Sequence, residues 1–149
     1  MSISIQNILS VTQGKLLKKG ADTPIQYLLT DSRQVFFART ALFFAIRGLR
    51  QDGHDFIQQA YEEGVRNFVI SQKIDTTPFE NANFILVENT VQALQDIARH
   101  HREQFAIPIV AITGSNGKTI VKEWLFQLLH EDVRIVRSPK SYNSQIGVP

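Results

Sequence analysis

The spacing of apolar residues divides the chain into short runs and amphipathic stretches that alternate. Ile25–Thr30 and Ala41–Ile46 are apolar runs closed by polar residues and predict strands, as do Asn67–Ser71 and Phe84–Val87. Asp55–Glu63 places Phe56, Ile57, Ala60 and Tyr61 on one helical face, and Gly64 stands where a helix-ending glycine belongs. Ile5–Leu9 reads as a short helix. Thr90–Phe105 gives the clearest helical signal of the first part, with Val91, Leu94, Ala98, His101 and Phe105 forming one stripe and Thr90 as N-cap. Pro108 follows soon after, which puts a domain boundary near Ala106. Beyond it, Ile109–Thr113 predicts a buried strand and Lys118–His130 a helix whose inner face carries Val121, Trp124, Leu125 and Leu128, with Trp124 in a core. Val133–Val136 then opens a further strand. Strands alternating with helices define an α/β class. Residues 1–105 form one domain, and 106–149 are only the opening of a second, since a strand-loop-helix-strand unit falls below the usual size of a domain.

Composition narrows the class of protein without identifying it. Hydrophobic residues make up 43% and charged residues 20% of the 149, a globular balance. There is no cysteine, which excludes disulfides and cysteine-bound metals. The net charge is +2 and the bases are scattered apart from Lys15, Lys18 and Lys19, which argues against a nucleic-acid partner. The start, Met1-Ser2-Ile3-Ser4-Ile5, lacks the basic and apolar regions of a signal peptide. No apolar run approaches the roughly 20 residues that span a bilayer. The expectation is a cytoplasmic protein with no membrane partner. His100, His101 and His130 lack metal-ligand spacing, and Glu62-Glu63 and Glu131-Asp132 read as solvated helix ends.

The strongest chemical signal is Ile109-Val110-Ala111-Ile112-Thr113-Gly114-Ser115-Asn116-Gly117-Lys118-Thr119, an apolar run leading into a glycine turn that opens a helix. Gly114 and Gly117 allow backbone angles and approaches that a Cβ blocks. The amides of Gly114, Ser115, Asn116, Gly117, Lys118, Thr119 and Ile120 can then face phosphate oxygens at the positive end of a helix dipole. Lys118 adds a mobile charge for the β- and γ-phosphates, and the Thr119 hydroxyl suits Mg²⁺. The eight-position loop has a further glycine where Ile112 stands, so this is the shorter variant.

Three segments together resemble the Mur ligase family. Thr113-Gly114-Ser115-Asn116-Gly117-Lys118-Thr119 is similar to its T-G-T-N-G-K-T loop. Asp31-Ser32-Arg33, Leu42-Phe43-Phe44-Ala45 and the run Gly48-Leu49-Arg50-Gln51-Asp52-Gly53-His54-Asp55-Phe56-Ile57 resemble the block of its N-terminal domain, D-S-R … L-F-x-A-x-x-G-x-x-x-D-G-H-x-F-I. Tyr142-Asn143-Ser144-Gln145-Ile146-Gly147-Val148-Pro149 is similar to Y-N-N-E-I-G-V-P, the signature of the subgroup that adds D-alanyl-D-alanine. The departures are Ile120 for a second hydroxyl, Ser144-Gln145 for Asn-Glu, and Phe36–Ala41 without the usual Pro-Gly-Asp turn.

The resemblance implies a small mixed-sheet domain that binds a UDP-sugar, followed by the start of a P-loop, Rossmann-like ATPase domain, the remainder of the ligase lying beyond residue 149. It implies an ATP- and Mg²⁺-dependent amide ligase. ATP phosphorylates the terminal carboxylate of UDP-MurNAc-tripeptide, and the amine of D-alanyl-D-alanine attacks the acyl phosphate. Lys118 and Thr119 become the catalytic pair, with Thr119 on the metal. Thr30, Ser32, Leu49, Arg50 and Gln51 line the uridine and diphosphate site, Asn143 supports the substrate or the metal site, and Ser144 binds the substrate. His54 is open to two readings, a nucleotide contact or a helix-entry residue bonded to backbone. A second class also stays open: a nucleotide-binding module or regulatory P-loop NTPase that uses the loop as a switch. Such a switch has no need of the Asp31–Arg33 and Asp52–His54 segments.

Overall fold

The computed structural model describes residues 2–33, 35–139 and 144–147. The chain divides into two compact units, one up to Gln104 and one from Phe105.

The first unit is built on five strands: β1 (Lys15–Lys18), β2 (Tyr27–Leu29), β3 (Ala41–Phe44), β4 (Asn67–Ile70) and β5 (Asn83–Leu86), in the order β1-β5-β4-β3-β2. β2, β3, β4 and β5 run parallel, and β1 pairs antiparallel with β5 at the edge. The sheet is therefore mixed, as the resemblance implies. Helices α1 (Ile5–Thr12) and α3 (Thr90–Arg102) pack on one face and α2 (Ile57–Glu62) on the other.

The two-faced burial explains the continuous apolar runs. Successive strand residues point to opposite faces, so a strand covered on both sides has no polar alternation. In β3 and just after it, Ala41, Phe43 and Ala45 enter the α2-side core while Leu42 and Phe44 enter the α1/α3-side core. Phe68 and Ile70 take the first side and Val69 the second. Phe68 and Phe84 stack at 4.9 Å across β4 and β5.

Two buried asparagines occupy the start of β4 and β5. Asn83 Nδ2 donates to Asn67 Oδ1 and to Ala21 O, both at 2.8 Å, and Asn83 Oδ1 accepts from Gly20 N at 2.7 Å. Asn67 Nδ2 donates to Ala41 O at 3.2 Å. Every amide group in this chain of contacts has a partner, which is what makes two such residues tolerable in a core.

The helix ends are set by local chemistry. Ser4 Oγ accepts from Asn7 N at 3.2 Å, and α1 runs three residues past the predicted Leu9 to Thr12. Val65 N donates to Ala60 O and Gly64 N to Tyr61 O, both at 3.0 Å, closing α2 in a Schellman motif with Gly64 at φ 100°. The N-cap of α3 is Asn89 rather than Thr90. Its Oδ1 accepts from Val91 N at 2.9 Å and from Gln92 N at 3.1 Å, leaving Thr90 as a buried first-turn residue. The buried stripe of α3 is Thr90, Ala93, Leu94 and Ile97, shifted from the expected one, and Phe105 lies beyond the helix.

The second unit carries α4 (Lys118–Leu129). The strands expected at Ile109–Thr113 and Val133–Val136 do not form: no described segment pairs with either, and Ile109, Val110, Val133 and Val136 are exposed. An extended segment becomes a strand only when a neighbour takes up its amides and carbonyls. Trp124, expected in a core, is 62% exposed, and Val121 and Leu128 are exposed with it. The span of α4 is close to the expected Lys118–His130, but among the described residues no element covers the face expected to point inward. No helix among the described residues is long and apolar enough to cross a membrane.

Candidate functional sites on the strand ends and the glycine loop

In the first unit the segments singled out from the sequence follow the carboxyl ends of neighbouring parallel strands. Thr30–Arg33 follows β2, Arg47–His54 follows β3, and Ser71-Gln72 follows β4. This is the edge of a parallel sheet where ligands are commonly held, because the connecting loops there can vary while the strands keep them in place.

After β3 the chain makes a tight hairpin. Gly53 N donates to Ile46 O at 2.8 Å, Arg47 and Asp52 form an antiparallel bridge, and Gly48 N donates to Gln51 O at 2.9 Å. The tip presents Leu49, fully exposed, with Arg50 and Gln51, also exposed. Arg50 has no ion-pair partner among the described residues, whereas Arg47 is spent internally, donating through Nε to Asp52 Oδ2 at 2.8 Å and through its terminal nitrogen to Gln72 Oε1 at 2.7 Å. The hairpin thus offers one uncommitted guanidinium beside an apolar side chain, a combination suited to a diphosphate and the sugar next to it.

Each residue of Asp52-Gly53-His54 has a distinct physical task. Asp52 Oδ1 accepts from His54 N at 3.0 Å and caps the 3₁₀ turn Gly53–Phe56. A Cβ on residue 53 would lie 2.5 Å from Ile46 N, so only glycine fits between hairpin and turn. His54 is buried, and its Nε2 accepts from Ser71 N at 3.1 Å. That bond fixes the ring proton on Nδ1, which donates to Asp52 Oδ1 at 2.5 Å. Both ring nitrogens are engaged within the protein, so of the two readings of His54 the backbone-bonded one is observed. The His54 amide first, then the His54 ring and the Arg47 guanidinium, hold the Asp52 carboxyl far below the usual carboxylate range.

Asp31-Ser32-Arg33 forms a second local lock. Arg33 Nε and its terminal nitrogen donate to the two Asp31 oxygens at 2.9 and 2.8 Å, and Arg33 N donates to Oδ1 at 3.0 Å. The guanidinium contact first, then the amide, lowers the Asp31 pKa to about 2. Arg33 is thereby committed to its own turn. Ser32 is buried, with Oγ donating to Gln59 Oε1 on α2 at 3.4 Å, and Thr30 is exposed at the strand end. The sequence did not single out Gln59, Ser71 or Gln72. Their contacts span 17 to 27 residues and leave no local signature.

The glycine loop of the second unit has Gly114 at φ 148° and Gly117 at φ 79°, backbone regions that a side chain resists. Gly117 is the N-cap of α4, and Val121 N already donates to its carbonyl at 2.9 Å. The Lys118 ammonium folds back on the loop, donating to Gly114 O at 2.5 Å and to Ser115 O at 3.4 Å. Ser115, Asn116, Thr119 and Ile120 are exposed along the same turn. Loop amides, the first turn of a helix and a lysine ammonium are brought together here, the parts of an anion cradle. Ser144 Oγ accepts from Gly147 N at 3.0 Å and closes its own turn. Asn143 lies outside the described residues.

Four parallel strands with an antiparallel edge strand, loops gathered at the carboxyl ends of the parallel strands, and a lysine-bearing glycine loop at a helix start define an α/β protein with two candidate anion-facing segments. Comparison with known proteins narrows it. The model of the family described as "Mur ligase family, catalytic domain" matches residues 24–102, and the chain belongs to this family. The matched span lies within the first unit and ends before the glycine loop. The chain is 32% identical over 147 residues to the UDP-N-acetylmuramoyl-tripeptide–D-alanyl-D-alanine ligase of Bacillus subtilis, covering 98% of this chain and 32% of that one. It is 31% identical to the Escherichia coli ligase of the same name, over all of this chain and 31% of that one. It is also similar to the crystal structure of MurF from Acinetobacter baumannii, with a TM-score of 0.86 at 30% identity over 99% of this chain and 32% of that one. MurF from Thermotoga maritima, solved in complex with ADP, aligns with a TM-score of 0.71 at 31% identity over 82% of this chain and 27% of that one. The chain spans about a third of the length of these curated relatives.

Proposed function

We propose that this chain is the front part of a cytoplasmic ATP-dependent ligase that joins D-alanyl-D-alanine to UDP-MurNAc-tripeptide in peptidoglycan synthesis. In this reading residues 1–105 hold the UDP-sugar and 106–149 open the ATP-binding domain. The family description calls residues 24–102 catalytic. We assign them substrate holding, because their distinctive residues form a recognition surface at the sheet edge and the phosphate chemistry lies at the glycine loop. Arg50, at the tip of the braced hairpin, meets the diphosphate. Leu49, Gln51, Thr30 and Ser32 surround the uridine end, and Asn143 and Ser144 support the substrate.

At the loop, the amides of Gly114 to Ile120 and the Lys118 ammonium cradle the ATP phosphates. The Lys118 contact with Gly114 O fits that role: the ammonium already lies over the loop and needs only to exchange carbonyl for phosphate oxygen. The Thr119 hydroxyl is a hard oxygen donor at the start of α4, which suits Mg²⁺, an ion that keeps waters and shares phosphate oxygens. When bound, Mg²⁺ supplies neutralisation of phosphate charge. A carboxylate oxygen of the tripeptide attacks the γ-phosphorus, the bond to the β-phosphate oxygen breaks, and ADP leaves. The amine of D-alanyl-D-alanine then attacks the acyl carbon, loses a proton, and phosphate departs. Positioning and charge neutralisation carry such a transfer, and Lys118 supplies the mobile part of both.

The observation that carries the reading is the braced Arg47–His54 hairpin with Arg50 uncommitted, a device that a nucleotide switch has no use for. The test is calorimetry of the purified chain with UDP-MurNAc-tripeptide, UMP and GTP. Binding of the UDP-sugar well above UMP is the expected result. Binding of GTP with no response to the UDP-sugar overturns the proposal in favour of a switch module.

A further inference from the structure

We infer that His54 is a positioning residue for the UDP-sugar site, tying the substrate hairpin to the end of the neighbouring strand. The inference deepens the proposed function and rests on it. It starts from an asymmetry in the hairpin. The backbone contacts at Gly53–Ile46, Arg47–Asp52 and Gly48–Gln51 hold the hairpin to itself, and backbone pairing with β4 stops short of it, the last bond running from Ala45 N to Val69 O at 2.9 Å. Beyond that bond, two side-chain links join the hairpin to the end of β4. Arg47 reaches Gln72, with both residues largely solvent-facing. His54, buried, joins the Ser71 amide on one ring nitrogen to Asp52 on the other. Asp52 in turn holds Arg47, so the imidazole is the interior member of a line Ser71–His54–Asp52–Arg47 that ends at the base of the tip bearing Arg50.

Burial separates the value of the two links. A solvent-exposed Arg–Gln contact competes with water and holds little. A buried, directional bond is stronger and leaves an unpaired group when broken. The His54 line therefore sets where Arg50 stands. It does so without touching substrate, because both ring nitrogens are consumed by Ser71 and Asp52.

The two links can be cut one at a time. The amide nitrogen of asparagine can occupy the place of Nδ1 and keep the Asp52 contact, while losing Ser71. The amide oxygen of glutamine can occupy the place of Nε2 and accept from Ser71, while losing Asp52. We expect His54→Asn and His54→Gln each to weaken UDP-MurNAc-tripeptide binding by about tenfold or more, with UMP affinity less affected, since the diphosphate and not the base depends on Arg50. In ligand-free protein, amide hydrogen exchange of Gly48 should quicken in both variants while that of Phe68 and Ile85, in the sheet core, stays at the wild-type rate. Loss of affinity that merely follows a general rise in exchange across the core would show a structural role and overturn the inference. So would unchanged Gly48 exchange, or wild-type affinity in either variant. If the wild-type chain does not bind the UDP-sugar at all, the proposed function fails first. The exchange comparison then still reports whether His54 braces the hairpin, which separates the two failures.

Discussion

Replacing Gly53 with alanine puts a single methyl group where the structure has no room, and the cost can be worked from the contacts. The new Cβ would lie 2.5 Å from Ile46 N and 2.7 Å from both Ala45 C and Ile46 O, where ordinary contacts are 3.4–4 Å. All three neighbours are backbone atoms, so no side chain can swing away. Relief requires hairpin and 3₁₀ turn to separate by about an ångström, which stretches the 2.8 Å bond from Gly53 N to Ile46 O beyond useful length. Overpacking of this kind costs about 1–3 kcal/mol and the lost hydrogen bond about 1 kcal/mol, so Gly53→Ala should destabilise the first unit by about 2–4 kcal/mol. Gly48→Ala is the control, because its Cβ would meet only Gln51 O, at 3.2 Å, and should cost under about 1 kcal/mol. Urea unfolding of the full chain, followed by far-ultraviolet circular dichroism, measures both. Gly53→Ala within about 0.5 kcal/mol of wild type, or a control that costs as much, would refute the close-approach argument.

Asn83→Ala should destabilise by about 2–4 kcal/mol by urea unfolding, because it strands Gly20 N, Ala21 O and Asn67 Oδ1 at once. Acid should weaken the first unit: Asp31 and Asp52 have folded pKa values below the ordinary value near 4, so their contribution is present above that pH and is lost as pH falls through the folded values, about 2 for Asp31 and lower for Asp52. Asp52→Asn should flatten this limb of the stability profile measured between pH 5 and pH 2. In the full-length ligase, Lys118→Ala should leave melting temperature and UDP-sugar affinity unchanged and slow ligation on the order of a hundredfold, with Lys118→Arg rescuing only in part. The isolated chain, assayed for ADP release with both substrates, should give no turnover.

Much of the first unit was legible because its strands are covered on both faces and its helices carry strong end signals. Gly64 announced the end of α2, and the runs at Ala41, Asn67 and Phe84 announced the central strands. β1 escaped because Lys15-Leu16-Leu17-Lys18 is short and flanked by lysines, and only pairing with β5 makes it a strand. Asn89 and Thr90 are both good caps by type, and only the geometry of the side chain separates them. In the second unit a local pattern did not suffice: Ile109–Thr113 has strand composition but no described partner, and Trp124 has a core position but no described layer over it. The candidate site divides the same way. The motif at Asp52-Gly53-His54 could be read from the chain, but its meaning depends on Ser71, which sits 17 residues away and contributes only a backbone amide.

Whether the carboxyl edge of this sheet holds a UDP-sugar through the hairpin tip decides the proposed function. The most direct measurement is heteronuclear NMR of the chain titrated with UDP-MurNAc-tripeptide, together with Arg50→Ala. Saturable shifts centred on the amides of Thr30, Ser32 and Leu49 to Gln51 are expected, with a loss of affinity in Arg50→Ala of about tenfold or more, the order for a lost charge-assisted contact, at unchanged melting temperature. Shifts confined to other surfaces, or Arg50→Ala binding as tightly as wild type, would contradict it.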